Sequence, residues 1–139
     1  MKRREPISAI MTTNVVTLNL TDSLETAERL FKKHKIRHIP VVNGTTIKGM
    51  LSYTDLLRIS FVDGLEDEGD NVDTVIYDMF TIYQVMTKNL TTVSTDATIK
   101  DVAEILASNE FHALPVVNEG KLVGIVTTTD LIKYLLAQY

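Results

Sequence analysis

Two short segments of the chain carry residue types that can hold a nucleotide. Residues 52–55 read Ser-Tyr-Thr-Asp and residues 127–130 read Thr-Thr-Thr-Asp, and each runs from a predicted strand into a predicted helix. The first amides of a helix are unpaired, and the helix dipole adds about half a positive charge there, which suits a phosphate. Asp55 and Asp130 add a carboxylate that can accept two hydrogen bonds from the vicinal hydroxyls of a ribose.

Hydroxyl and cationic side chains accompany both carboxylates. Thr54 and Thr129 offer hydroxyls, and Arg58 and Lys133, one helical turn later, can bring positive charge to phosphates. The same Thr-Asp pair is also an ordinary helix start, because the threonine caps the helix and the aspartate interacts favourably with its dipole. For one copy alone the residues favour that structural role, so the nucleotide site is a hypothesis at this point.

The two segments belong to an internal repeat with an offset of 75 residues. The matched segments include Met11-Thr12 with Met86-Thr87, residues 40–43 with 115–118, Gly49 with Gly124, and Thr54-Asp55-Leu56 with Thr129-Asp130-Leu131. This register predicts a first repeat at residues 8–61 and a second at 83–139, joined by residues 62–82.

Each copy is predicted to form a strand, a helix, a hairpin and a second helix. In the first copy Asp22 is expected to cap the first helix with Glu25 closing a capping box, and Thr54 to cap the second helix. Asn43-Gly44 suits the hairpin turn. The second copy is predicted to have a strand at 90–93, a helix at 98–108, strands at 114–118 and 122–127, and a helix at 130–138.

A single copy is too small to bury a comfortable core. A three-stranded sheet with helices on one face also leaves its other face bare. We therefore expect an α+β fold in which the two repeats pack with pseudo-two-fold symmetry and leave two equivalent clefts between them.

The connection at residues 62–82 begins acidic and then turns apolar. Its apolar residues have helical spacing and predict a short amphipathic helix: Val72, Val75, Ile76, Met79, Phe80 and Tyr83. We favour packing of this helix on the module's own core over a dedicated interface. The acidic part between Asp63 and Asp73 misses the spacing of a calcium loop, so a solvated loop is favoured over a cation site.

Composition excludes several functional classes. The 139-residue chain has 14 Lys plus Arg, 18 Asp plus Glu and no cysteine, for a formal charge of −4. The acidic balance disfavours nucleic acid as a partner, and no apolar run is long enough for membrane insertion. Glu5, Pro6 and Ser8 stand where an export signal needs apolar residues, so we expect a cytoplasmic protein. The three histidines form no metal or triad pattern, which predicts neither a metal, nor a cofactor, nor an enzyme.

The chain resembles tandem cystathionine-β-synthase-type (CBS) domains. The resemblance rests on three features that both repeats share: a glycine-containing strand that leads into Thr-Asp, a Pro-Val-Val strand and a leading Met-Thr segment. The resemblance covers nearly the whole chain except about residues 62–82. It implies a Bateman module, a disc-forming pair that binds AMP, ADP, ATP or S-adenosylmethionine and regulates an attached or partner protein. It also implies a homodimer.

The resemblance further implies two ligand sites, each with residues of both copies. The first would join the strand-to-helix end of the first copy to the second copy: Ser52, Thr54, Asp55 and Arg58 with Thr92, Val93, His112, Ala113, Leu114 and Pro115. The second would join the strand-to-helix end of the second copy to the first copy: Thr127, Thr129, Asp130 and Lys133 with Thr17, Leu18, Arg37, His38, Ile39 and Pro40. We expect the second site to be stronger, since Arg37, His38 and Lys133 can all approach phosphates.

Three functional hypotheses remain open on the sequence. The favoured one is a regulatory module that senses an adenine nucleotide, most readily AMP or ATP, and acts on an unidentified effector protein. Its alternative is a ligand-free scaffold that dimerises through its helical faces. A nucleotide hydrolase is disfavoured because the sequence offers no evident base or metal set.

Overall fold

The fold places the two repeats in two units of the same element order. The structure is a computed structural model that describes residues 4–62 and 77–139. The first-repeat unit comprises Val16–Leu90, and the second-repeat unit comprises Met1–Val15 together with Thr91–Tyr139. Strands and helices are both present in each unit, which confirms the α+β class.

The first-repeat unit has its hairpin at the centre. Its elements are β1 (Leu18–Asn19), α1 (Leu24–His34), β2 (His38–Asn43), β3 (Thr46–Ser52), α2 (Tyr53–Val62) and α3 (Ile82–Val85). Strand β2 pairs in parallel with β1 on one side and antiparallel with β3 on the other. The hairpin turn is present one residue later than predicted: Asn43 ends β2 and pairs with Thr46, so the loop consists of Gly44, with a φ of 67°, and Thr45.

The second-repeat unit repeats this order. Its elements are a 3-10 helix (Ile7–Ala9), β4 (Val93–Ser94), α4 (Ile99–Ala107), β5 (Ala113–Asn118), β6 (Lys121–Thr127) and α5 (Thr128–Ala137). Strand β5 pairs in parallel with β4 and antiparallel with β6. The first strand of each unit has only two residues, shorter than predicted. Pro40 and Pro115 directly precede the residues that pair with these strands, and proline has no N–H to extend the ladder.

The cap predicted for α1 is wrong by one residue. Ser23, and not Asp22, caps this helix, because its side chain accepts from the Thr26 amide at 3.1 Å. The Asp22 carboxylate instead accepts from the Asn19 amide at 2.8 Å and closes the preceding turn. Glu25 is in the first turn of the helix but does not form the expected capping box.

The predicted helix after the acidic connection is interrupted. Val72, Val75, Ile76 and the acidic loop lie outside the described residues. Within the described part, Met79 and Phe80 leave the helical conformation, because Thr81 starts a new helix, α3, through a capping box with Gln84. Tyr77 is buried, and its hydroxyl donates to the Glu28 carboxylate at 3.0 Å.

Each unit is completed by a segment from the start of the other repeat. Ile7 is fully buried in the core of the second-repeat unit, and its amide donates to the Ala97 carbonyl at 2.7 Å. The Tyr134 hydroxyl donates to the Glu5 carboxylate at 2.8 Å, which raises the pKa of Tyr134. In the same way Ile82 and Met86 belong to the core of the first-repeat unit.

Each Met-Thr segment also forms backbone hydrogen bonds with a strand of the unit that it completes. Met50 and Thr87 exchange two backbone hydrogen bonds of 3.0 and 2.9 Å, and Thr12 and Ile125 exchange two of 2.9 and 3.0 Å. The residue before each paired strand residue is a glycine, Gly49 or Gly124. A Cβ on Gly49 would meet the Met86 sulfur and would lie 2.8 Å from the Thr87 carbonyl oxygen. The missing side chain therefore admits the Met-Thr segment.

We expect Gly49→Ala to lower the free energy of unfolding by about 1–3 kcal/mol, because the new Cβ overlaps backbone as well as the Met86 side chain. Gly124→Ala is expected to do the same in the other unit, where the nearest backbone atom is the Thr12 oxygen at 3.0 Å. Urea unfolding measures both changes. The neighbouring exposed Lys48→Ala is the matched control, and an equal loss in that control would contradict the prediction.

The cap of α4 gives a prediction about pH. The Thr98 amide and hydroxyl hold the pKa of Asp101 below its ordinary value. A carboxylate with a lowered pKa stabilises the fold above its unfolded pKa, near 4, and this contribution is lost as the pH falls through the folded pKa. We therefore expect Asp101→Asn to be less stable than the parent at pH 7 and closer to it at pH 3. Urea unfolding at the two pH values measures this, and a constant difference would contradict it.

Candidate functional site

The strand-to-helix end of the first repeat is built by a capping box. Helix α2 begins at Tyr53, and the Ser52 hydroxyl accepts from the Asp55 amide at 3.0 Å. In return the Asp55 carboxylate Oδ2 accepts from the Ser52 amide at 2.9 Å. The prediction that Thr54 caps this helix is therefore wrong. Ser52 stands at the cap position, which leaves Thr54 exposed in the first turn.

The second repeat builds the same arrangement with threonine. Thr127 caps α5, and its hydroxyl accepts from the Asp130 amide at 3.2 Å. Asp130 Oδ2 accepts from the Thr127 amide at 2.9 Å and from the Thr127 hydroxyl at 3.2 Å. Thr129 is again exposed within the first turn rather than at the cap. Both carboxylates are thus held at a helix N-terminus by their own backbone.

Cationic side chains follow the carboxylates differently in the two repeats. The Arg58 guanidinium donates to Asp55 Oδ1 at 3.2 Å. Lys133 stands at the same repeat position, and within residues 4–62 and 77–139 it forms no ion pair. The Asp55 side chain is 12% exposed and that of Arg58 is 66% exposed, so the carboxylate is sheltered while its partner reaches into solvent.

Each capping box lies beside the start of the central strand of its own unit. His38 pairs with Ser52, and the Tyr53 amide donates to the Arg37 carbonyl at 2.9 Å. In the second repeat Ala113 pairs with Thr127, and the Thr128 amide donates to the His112 carbonyl at 3.0 Å. The structure therefore brings residues 37–38 to the first box and residues 112–113 to the second box, within their own units.

The remaining candidate residues divide by burial. Thr17, Arg37, Thr92 and His112 are exposed, and His38 is half-buried. Seven others have buried side chains, most of them in the core of their own unit: Leu18, Ile39, Pro40, Val93, Ala113, Leu114 and Pro115. These side chains are therefore not on the surface of the structure. Their grouping into two sites with residues of both repeats stays a prediction.

The surface charge near the two central strands is strongly unequal. Residues 29–37 contain five lysines and arginines, all exposed, whereas the equivalent residues 104–112 contain none and include Glu104 and Glu110. Arg37 stands at the end of the basic segment. Alignment of the two repeats at their offset of 75 residues is the sequence signal that displays this asymmetry.

The described residues show neither a metal cluster nor a membrane helix. Across 4–62 and 77–139, no three histidine or acidic side chains converge in a way that holds a metal ion. No helix in that part of the chain has the length and apolar character needed to cross a bilayer.

Comparison with known proteins identifies the fold family. The sequence profile of the CBS domain matches residues 7–61 and 82–137. Protein MJ1225 of Methanocaldococcus jannaschii, which is uncharacterized, is 33% identical over 132 residues. The match covers 94% of this chain and 43% of that relative, so this chain spans less than half of its length.

Two solved structures share the fold. CBSX2, solved in complex with AMP, has a TM-score of 0.80 at 24% identity, and the match covers 96% of this chain and 98% of CBSX2. The CBS domain pair of protein MJ0100, solved with 5′-methylthioadenosine and S-adenosyl-L-methionine, has a TM-score of 0.78 at 22% identity over 96% and 98% of the two chains. At these identities the likeness concerns the fold. The profile matches cover most of the sequence, and the chain therefore belongs to the CBS domain family, with two copies of the domain.

Proposed function

We propose that this chain is a regulatory module that binds an adenine nucleotide, such as AMP or ATP, at the strand-to-helix ends of its two repeats. The observation that carries the proposal is the pair of capping boxes, each of which holds a sheltered aspartate at a helix N-terminus. CBSX2 with AMP and MJ0100 with 5′-methylthioadenosine and S-adenosyl-L-methionine support the ligand class, since all three ligands contain adenine linked to ribose.

The chemistry of the two ends suits such a ligand. Each aspartate uses Oδ2 for the capping box, and we assign the ribose hydroxyls to Oδ1, which at Asp55 also accepts from Arg58. The positive end of each helix dipole and the nearby cations Arg37 and Lys133 favour the phosphates. The expectation that each site combines residues of both repeats is part of this proposal.

The proposed role is regulatory rather than catalytic. The acceptors and cations at the two ends hold a ligand, and a bound ligand biases a partner protein by its differential affinity for two states of the module. We propose that the effector is another polypeptide or a second copy of this chain. Steady release of phosphate from ATP by the purified protein, lost in the aspartate variants, would contradict this role.

A second candidate function, dimerisation as a scaffold, rests on an apolar stripe of α5. Ile132, Leu135 and Leu136 lie at helical spacing on this helix, and they are 52%, 44% and 65% exposed. Tyr139 continues the same spacing and is 98% exposed. Leu57, at the position in α2 that corresponds to Ile132, is also exposed. We propose that these faces form a homodimer, which is compatible with ligand sensing as well as with a scaffold.

The ligand proposal predicts a thermal shift that depends on both aspartates. A ligand at about a hundred times its dissociation constant stabilises a protein by about 2.7 kcal/mol, which raises the unfolding midpoint by several degrees. We expect AMP, ADP, ATP or S-adenosylmethionine to produce this shift, and GMP not to produce it. The Asp55→Ala/Asp130→Ala variant should lose it.

Asp101→Ala supplies the matched control for that measurement. It also breaks a capping box, that of α4, but outside the proposed sites. The control should keep the ligand-induced shift. If adenine ligands produce no shift in the parent protein, or if the shift survives in the double aspartate variant, the proposed nucleotide site is wrong.

The dimer proposal predicts a change of mass in solution. Leu136→Glu places a charge within the apolar stripe, so we expect light scattering to show a monomer for this variant and a dimer for the parent. Gln138→Glu, which alters an exposed polar residue near the end of the same helix, should remain dimeric. A parent protein that is monomeric at every concentration would contradict both the dimer and the scaffold.

A further inference from the structure

The two capping-box aspartates differ in whether a cation already holds them. Asp55 Oδ1, the oxygen outside the capping box, accepts from Arg58 Nη1 at 3.2 Å. Asp130 Oδ1 has no protein partner in the part of the chain that the structure describes, because all bonds to that carboxylate end on Oδ2. A ligand therefore meets an Oδ1 that already accepts from Arg58 in the first repeat, and an Oδ1 without a partner among the described residues in the second repeat.

The difference follows from one substitution between the repeats. Arg58 and Lys133 both stand three residues after their aspartate, where side chains on one helix face can meet. An arginine presents several donors in a planar fork that matches a carboxylate, whereas a lysine is a compact and strongly hydrated charge. The Arg58 fork turns back to Asp55, and Lys133 remains in solvent without an ion pair among the described residues.

We propose that Arg58 is an intramolecular competitor of the ligand, so that the site at Asp55 binds adenosine compounds more weakly than the site at Asp130. This inference rests on the proposed function, in which the ribose hydroxyls donate to Oδ1 of each aspartate. A ribose that enters the first site must displace the guanidinium or share the oxygen with it. Arg58 is 66% exposed, and exposed ion pairs are weak, so the competition lowers the affinity about two- to fivefold and does not close the site.

Arg58 and Lys133 consequently have opposite effects on the ligand. Removal of Arg58 releases a carboxylate oxygen for the ribose. Removal of Lys133 takes away a cation that can approach a phosphate and releases no acceptor. This opposition separates the inference from the expectation that both cations bind phosphates, under which both substitutions weaken binding.

The test measures AMP binding by titration calorimetry with one site examined at a time. In the Asp130→Ala background only the first site remains, and we expect added Arg58→Gln to raise the affinity for AMP about two- to fivefold. In the Asp55→Ala background added Lys133→Gln should lower it. For 2′-deoxy-AMP, which keeps the 3′-hydroxyl but lacks the 2′-hydroxyl, Arg58→Gln should bring a smaller gain, because only one ribose hydroxyl remains to donate to the released oxygen.

The outcomes separate this inference from the proposed function. If the parent protein binds AMP and Arg58→Gln lowers or leaves unchanged the affinity of the first site, Arg58 is not a competitor. An equal gain for AMP and 2′-deoxy-AMP would also overturn the inference, since the effect would then be general electrostatics. A parent that binds no adenosine compound overturns the proposed function itself. Arg58→Gln alone, in the parent background, gives the same comparison at the weaker site if Asp130→Ala does not fold.

Discussion

The structure depends on the contact between each Met-Thr segment and a glycine-containing strand. Two backbone hydrogen bonds join Thr87 to Met50, and two join Thr12 to Ile125. A Cβ on Gly49 would overlap the arriving backbone, and a Cβ on Gly124 would overlap the Met11 side chain and lie tightly against the Thr12 oxygen. The glycine is therefore needed for its absent Cβ and not for an unusual φ. The methionine of each segment also packs on its own unit, because Met86 belongs to the core of the first-repeat unit and Met11 packs against the core of the second-repeat unit.

The same strands deliver the candidate site. In β3 the contact residue Met50 stands two positions before the cap residue Ser52, and in β6 Ile125 stands two positions before Thr127. The cap residue ends the strand, starts the helix and fixes its aspartate through two reciprocal hydrogen bonds. The position of the carboxylate is thus set by the backbone rather than by a flexible side chain. This is the preorganisation that recognition of a small ligand requires.

Much of the fold and part of the site could be predicted from residue pattern. The repeat, the hairpins and the order of elements follow from hydrophobic periodicity and turn residues, which act over a few neighbours. Cap positions were less predictable: Asp22 competes with Ser23, and Thr54 with Ser52, because adjacent residues have similar capping tendencies. The reciprocal bond between Ser52 and Asp55 decides the second case, although their spacing already fits a capping box.

Residue pattern alone predicts the order of the elements, the approximate turns and the two carboxylates at helix starts, because these depend on interactions within about four residues. The three-dimensional fold was needed to show that Ile7 and Met11 pack in the unit of the second repeat and that Ile82 and Met86 pack in the unit of the first. The two repeats have equivalent strands, so the local residue pattern does not show whether a Met-Thr segment pairs with the strand of its own repeat or with that of the other repeat. Likewise only the folded helix shows that Arg58 turns back to Asp55 while Lys133 does not, since that choice depends on side-chain geometry and solvent.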